Sequence, residues 1–376
     1  MTIAVYNASW STFGGGEKYG CAIADILGAA GHPVELLVEH EDITKTKLQS
    51  YFNMALESVE VRRCRRSEVR KALRAADIAC IISNFRPFGL PGRKTIYVLQ
   101  IPYPGITLPR ALRRMLRGES REGAKDVLRK RLLNDARDAS AVLVYSEFVR
   151  DCLLRNHDIH ATVLYPPIDD FAGRVPKEHA ILSVGRIFRG LYNDKRYDVM
   201  IKAFRRLCDG GGASGWEYWI AGSCGVDEAS QRYLQQLQDD ARGYPIRFIV
   251  NASYAELGAL YARADLFWHA AGFGVDDRRE PQRTEHFGMS TVEAMSASCI
   301  PVVVNNGGQR EIVTHGVNGF LWDTIDQLVD QTRMLIDDPS GHEPTRAKAR
   351  MRFKDFDRTH FAERLHLIVH RLGTPP

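Results

Sequence analysis

The chain has 376 residues, 44% hydrophobic and 26% charged, with a formal net charge of +5. That length fits two domains better than one core, the composition is that of a soluble globular protein, and no apolar run reaches the length of a membrane span. Seven cysteines stand singly with no Cys-x-x-Cys pair and no metal-ligand spacing, which implies reduced thiols and argues against a disulfide or zinc scaffold.

The N-terminus opens directly as a strand over 3–7, without the basic region and apolar core of a secretion signal, which implies a cytosolic chain. After a loop over 8–13, Gly14-Gly15-Gly16-Glu17-Lys18 opens an apolar-periodic helix that stops at Gly31. Glycines at a helix start allow close backbone approach, and the dipole suits a diphosphate; a tight turn under a packed helix is the plain alternative. Neither the Gly-x-Gly-x-x-Gly pattern nor the ending of a P-loop is present. Further strands read at 34–38, 78–83, 95–99 and 141–146, and their alternation with helix-compatible segments implies a parallel, doubly wound sheet. Gln100 and Tyr103 follow a strand end, where such sheets bind ligands, and are candidates for an acceptor site.

Basic residues cluster in the first half, in two tracts. One holds Arg62, Arg63, Arg65, Arg66, Arg70, Lys71 and Arg74; the other holds Arg110, Arg113, Arg114, Arg117, Arg121, Lys125, Arg129, Lys130 and Arg131. The second interleaves Leu108, Leu112, Met115, Leu116, Val127, Leu128, Leu132 and Leu133. Read as an amphipathic basic helix pair with few acidic partners, the tracts suit an anionic membrane, at about 1 kcal/mol per basic residue near the surface. A solvated helix face is the alternative, and the near absence of interleaved aromatics argues against nucleic acid.

Tyr165-Pro166-Pro167-Ile168 is a stiff connector after a strand at 162–164 and marks a domain boundary. The pattern then restarts. A strand at 179–184 is followed by Gly185-Arg186, a polar loop, and Lys195 at the start of an amphipathic helix. Strands at 217–222, 246–250 and 266–269 follow, the last two separated by a helix over 254–264. The polar segment 272–284 either lines a site or is an ordinary solvated loop.

Glu285-His286-Phe287-Gly288-Met289-Ser290-Thr291-Val292-Glu293 brackets a glycine turn with two carboxylates. Ser290 and Glu293 have capping-box spacing, which predicts a helix from about Ser290 whose first N–H groups form an anion site. The segment 299–304 reads as a buried parallel strand, and an amphipathic helix closes the chain.

This stretch resembles the signature of retaining glycosyltransferases of family four. The likeness continues through Gly307-Gly308-Gln309-Arg310-Glu311-Ile312-Val313 and His315-Gly316-Val317-Asn318-Gly319-Phe320-Leu321, close over the second half of the chain and loose over the first. The resemblance implies an α/β chain of GT-B fold: two Rossmann-like, doubly wound domains facing across a cleft. They would be an acceptor-side domain at 1–167, a nucleotide-sugar domain at 168–355, and a final helix at 356–376 returning to the first. It implies Arg186 and Lys195 as cations on the donor phosphates, and Gly15 and Gly16 against the diphosphate and acceptor. Glu285 is then on the sugar ring, Glu293 on the ribose, and Phe287, Gly288, Met289 and Ser290 offer backbone N–H groups. His286 is either a sugar contact or a structural imidazole. Gln100 stands where many members of the family carry His, and Ser298 where relatives commonly carry Gly.

The implied activity is retaining transfer of a hexose to a saccharide or lipid-linked saccharide, as in surface polysaccharide or lipopolysaccharide assembly. GDP-mannose is favoured over a UDP-hexose as donor, with no metal ion and a peripheral place on the inner membrane face. The one Asp-x-Asp triplet, Asp355-Phe356-Asp357, lies in the C-terminal helical region. A nucleotide-sugar epimerase on the same fold and a non-catalytic nucleotide-sugar-binding scaffold remain as other classes.

Overall fold

A computed structural model describes residues 1–8, 10, 14–189 and 194–373; positions 9, 11–13 and 190–193 of the two expected loops lie outside it, as does the Arg110 side chain. The chain divides into two compact units, residues 1–167 with 359–376, and residues 168–358. In the first unit Phe361 of the Arg358–Gly373 helix meets Tyr19 edge-on, ring centroids 5.3 Å apart.

Seven parallel strands form the sheet of the first unit: β1 (Ile3–Asn7), β2 (Val34–Val38), β3 (Val59–Arg63), β4 (Ile78–Ile82), β5 (Lys94–Leu99), β6 (Ala141–Val144) and β7 (Thr162–Val163). Their order is β3-β2-β1-β4-β5-β6-β7. The second unit has six: β8 (Glu178–Val184), β9 (Glu217–Gly222), β10 (Ile246–Val250), β11 (Ala264–His269), β12 (Ile300–Val304) and β13 (Phe320–Trp322), in the order β10-β9-β8-β11-β12-β13. Runs such as Ile-Ala-Cys-Ile-Ile in β4 are buried throughout, as a sheet covered on both faces requires. Pro301, out of place in a strand paired on both sides, lies where pairing to β13 has not begun. Helices pack on these sheets around Tyr6, Ile81, Tyr97 and Leu132 in the first unit and Phe204, Tyr218, Trp268 and Trp322 in the second. In each sheet the chain order reverses beside the first strand, between β1 and β4 and between β8 and β11. Side chains at the carboxyl ends of those strands therefore share a crevice.

The basic tracts differ from the expectation of a helix pair poor in acidic partners. Arg62 and Arg63 lie in edge strand β3, where Arg62 pairs with Glu35 at 2.9 Å and Arg63 with Glu41. Arg66, Arg70, Lys71 and Arg74 follow in a separate helix, Arg66–Ala75. The second tract does form two helices, Leu108–Leu116 and Ser120–Arg137, joined by Arg114, which bonds Glu119 at 3.0 Å and Asp126 at 2.8 Å. Leu132 and Leu133 are core, whereas Leu108, Leu112 and Leu116, four residues apart on one stripe, are 55, 57 and 89% exposed.

Ser298 ends the turn between the Met289–Ser296 helix and β12 with φ of +62°. That left-handed conformation costs a non-glycine residue about 1–2 kcal/mol, against about 0.4–1 kcal/mol of extra unfolded-chain freedom for glycine. Ser298→Gly should therefore stabilise the second unit by about 0.5–1 kcal/mol, a rise of about 1–4 °C in melting temperature. A fall in melting temperature would show that the turn carries no such strain.

Candidate active site

At the β8/β11 switch point three side chains from three segments converge. Lys195 Nζ donates to Glu285 Oε2 at 2.5 Å, and His269 Nε2 lies 3.0 Å from the same oxygen. Lys195 reaches the site from the turn before the Tyr197–Asp209 helix. There Asp194 accepts the Arg196 N–H at 3.0 Å, and Arg196 bonds the Phe273 carbonyl at 3.0 Å. His269 is the last residue of β11 and 2% exposed. Glu285 is fixed through its carbonyl, which accepts the Gly308 N–H at 2.8 Å from the turn after β12.

A bare imidazole nitrogen facing a carboxylate oxygen would oppose two lone pairs, so Nε2 carries the proton and donates to Glu285. The 3.4 Å approach of Lys195 Nζ to that nitrogen is then a packing contact. Nδ1 is buried with no hydrogen-bond partner. Burial alone would raise the Glu285 carboxyl, but the Lys195 ammonium and the His269 hydrogen bond hold it well below the usual carboxylate range. Burial, then the Lys195 charge, lowers the His269 imidazole below its ordinary value. The arrangement is an ionised carboxylate in a crevice, held by one cation and one neutral donor.

The helix after Glu285 begins one residue before the expected Ser290. It spans Met289–Ser296, its N-cap is Gly288 at φ of +120°, and no side chain caps it. The capping box of Ser290 and Glu293 does not form. Gly288 adopts a backbone open to glycine and passes against the Gln309 carboxamide, so the helix starts there, and Glu293 accepts instead from Tyr261 OH at 2.7 Å. The Phe287 ring is core, edge-on to Phe356, while Met289 and Ser290 are half-buried. His286 Nε2 lies 3.2 Å from the Gln282 carbonyl, a contact that ties it to its own loop.

Arg186 follows the end of β8, exposed and stacked over Phe188 at 4.9 Å, with no ion pair among the described residues. In the first unit, Gly15 and Gly16 open the Gly15–Ala29 helix at the β1/β4 switch point, where Glu17 accepts the Gly14 N–H at 3.0 Å. A side chain at Gly16 would strike the Gln100 carboxamide, which Asn84 holds through Oε1 at 2.7 Å and which donates to Tyr145 OH. Tyr103 OH donates to the Asn84 carbonyl. Among the described residues no group of three or more His, Cys, Asp and Glu side chains is placed to hold a metal ion.

Sequence reading misses His269 and Tyr261. The first is a lone histidine ending an apolar strand, the second one aromatic among several on a helix. The available signal is position: His269 closes the strand on the far side of the switch point from Gly185-Arg186.

The family model of glycosyl transferases group 1 matches residues 167–355, just over half of the chain. A Xenopus laevis protein named GDP-Man:Man(3)GlcNAc(2)-PP-Dol alpha-1,2-mannosyltransferase is 29% identical over 182 residues, 44% of this chain and 34% of that protein. The alpha-1,3/1,6-mannosyltransferase ALG2 of Dictyostelium discoideum is 26% identical over 243 residues, 56% of this chain and 55% of its own length. The chain thus spans about half or less of the curated relatives it matches. The crystal structure of Anabaena Alr3699/HepE in complex with UDP and glucose superimposes with a TM-score of 0.69 at 16% identity, covering 99% of this chain and 100% of that one, which shows the shared fold.

Both shifted groups give stability the same pH sense. Below about 6.5 the unfolded chain's His269 takes a proton that the folded imidazole refuses, and below about 4.5 unfolded Glu285 does likewise. Their contribution is complete above pH 6.5 and is lost as pH falls through the folded values. In urea unfolding between pH 4 and 8, His269→Phe should flatten the upper part of this acid limb in the second unit. An unchanged slope would overturn the buried neutral imidazole.

Proposed function

Because the chain belongs to the group 1 glycosyl transferases, we propose that it moves a hexose from a nucleotide sugar to a saccharide or lipid-linked saccharide acceptor, with retention at the anomeric carbon and without a metal ion. GDP-mannose is the favoured donor, in keeping with mannosyl transfer in the names of both curated relatives, and a UDP-hexose is the second. The observation that carries this reading is the buried cluster of Lys195, Glu285 and His269 just ahead of the Met289–Ser296 helix.

The acceptor hydroxyl oxygen bonds the anomeric carbon on the face from which the nucleoside diphosphate leaves, and a donor phosphate oxygen takes the hydroxyl proton. Lys195 and the unpaired Arg186 offset the charge that develops on the departing diphosphate. Glu285 holds the sugar ring and Glu293 the ribose, with backbone N–H groups of Phe287, Gly288, Met289 and Ser290 on sugar hydroxyls or phosphate. Gly15 and Gly16, opening their helix at the switch point of the first unit, offer backbone N–H groups to phosphate or acceptor hydroxyls. His286, tied to the Gln282 carbonyl, serves its loop.

For the acceptor, the stripe of Leu108, Leu112 and Leu116 favours a membrane-borne substrate. In the same tract Arg113, Arg117, Arg121 and Arg131 are exposed and make no ion pair among the described residues, a charge complement to anionic lipid. No helix among the described residues is long and apolar enough to cross a membrane, so contact would be peripheral. Such contact suits a role in surface polysaccharide or lipopolysaccharide assembly.

A saturating GDP-sugar at a hundred times its dissociation constant, with chelator present, should stabilise the protein by about 2.7 kcal/mol. A shift with UDP-sugars instead would select the other base, and no shift with either would sink the donor site. Glu285→Gln, folded, should lose more than about tenfold in turnover, about 1.4 kcal/mol. Sedimentation with anionic vesicles should carry the protein down in a salt-sensitive way, and Leu112→Glu with Leu116→Glu should release it. Equal sedimentation of that variant removes the stripe from the membrane reading.

A further inference from the structure

Resting on the transferase reading above, we infer that His269 is a positioning residue for the transfer, its Nε2–H fixing the Glu285 carboxylate toward the donor sugar independently of Lys195. Two groups bond that carboxylate. Lys195, as a phosphate cation, divides its donors between Glu285 and the diphosphate, so its hold varies through the reaction. The imidazole has no second duty: among the described residues Glu285 Oε2, at 3.0 Å from Nε2, is the acceptor it serves, and Nδ1 has no partner.

The backbone on both sides of the ring is pinned. Ser183 Oγ donates to the Trp268 carbonyl at 2.8 Å, and the Ala270 carbonyl accepts the Phe273 N–H at 3.0 Å. Ser183 belongs to β8 and His269 to β11, so the imidazole is carried by the paired strands of the sheet, whereas Lys195 and Glu285 both arrive on loops. A donor rooted in a sheet is the more exact reference for a loop carboxylate. Leucine would fill the same apolar strand end without an orphaned nitrogen, so packing alone does not account for the imidazole.

The charged and titratable groups facing the ring are Lys195 and Glu285. With Nε2–H donated to the carboxylate, His269 shapes the acid limb of turnover through Glu285 and not by exchanging a proton with the substrate.

The test compares His269→Leu, His269→Gln and Glu285→Gln, alone and combined, each checked by thermal melting for a retained fold. His269→Leu should lower kcat by at least about tenfold, leave nucleoside diphosphate binding within about twofold, and move the acid limb of the kcat profile to higher pH. His269→Gln, which restores an N–H near the carboxylate, should recover most of the loss, and His269→Leu should cost nothing further in the Glu285→Gln background. The inference is overturned if His269→Leu leaves kcat within about twofold, if its effect persists undiminished beside Glu285→Gln, or if nucleoside diphosphate binding falls in parallel with kcat. Should the wild-type protein turn over no nucleotide sugar, the transferase reading fails separately. Nitrogen-15 NMR of the imidazole then decides the positioning contact: an Nε2–H tautomer perturbed by Glu285→Gln supports it, and an Nδ1–H tautomer ends it.

Discussion

The site is organised by one constraint, a carboxylate that must stay ionised while nearly buried. An uncompensated charge in that position would neutralise itself by taking a proton, since desolvation opposes the ionised form. Lys195 and His269 prevent this from opposite structural origins, a turn before a helix and the end of a strand. The arrangement is not a general stabilising device, because a buried ion pair often does no better than apolar packing. Its value lies in keeping a fixed negative group beside a helix start.

Some unmet polar groups of the second unit lie near the site, and others, Tyr233 OH, Trp322 Nε1, Gln331 Oε1 and Arg333 Nε, lie elsewhere in it. His269 Nδ1, Asn306 Oδ1, Thr291 Oγ1 and both amide atoms of Gln309 are buried without hydrogen-bond partners. Each such atom typically costs about 1–3 kcal/mol when left unpaired. The four residues near the site are carried by the switch-point strand end, the Met289–Ser296 helix and the segment after β12, and each is a departure from ordinary packing. In the apolar centre of the same sheet the polar atoms of Tyr218 and Trp268 are met, by Ser183 Oγ at 3.0 Å and Thr332 Oγ1 at 3.1 Å.

Most of the architecture was legible in the sequence because parallel strands covered on both faces read as short apolar runs bounded by turn residues. Strand β3 was not, since Val59-Glu60-Val61-Arg62-Arg63 lies at a sheet edge, where charged side chains blunt pairing and mask the pattern. The misplaced capping box has a different cause. Ser290 and Glu293 have the right spacing, but a glycine two residues earlier can take φ of +120° and start the helix first, and Tyr261 competes for the glutamate. Lys195 and Glu285, ninety residues apart in the chain, were joined in advance only through resemblance. The third member, His269, needed the strand order: only when β11 is known to lie beside β8 does its last residue become a neighbour of the loop that carries Lys195.

The segment that precedes Glu285 is itself held from the turn after β12. Asn306 donates to the carbonyls of Gly272 and Val275 at 2.8 and 2.9 Å, Arg310 pairs with Asp277 at 2.6 Å, and Gly308 holds the Glu285 carbonyl. The turn after β12 therefore grips both ends of the 272–284 segment. Within the segment, Asp276 with Arg279 and Glu280 with Arg283 form local pairs three residues apart. The place of the carboxylate is set by the turn after β12, and its side chain is held by His269 and Lys195. A loop glutamate is thereby held from the ends of the sheet strands.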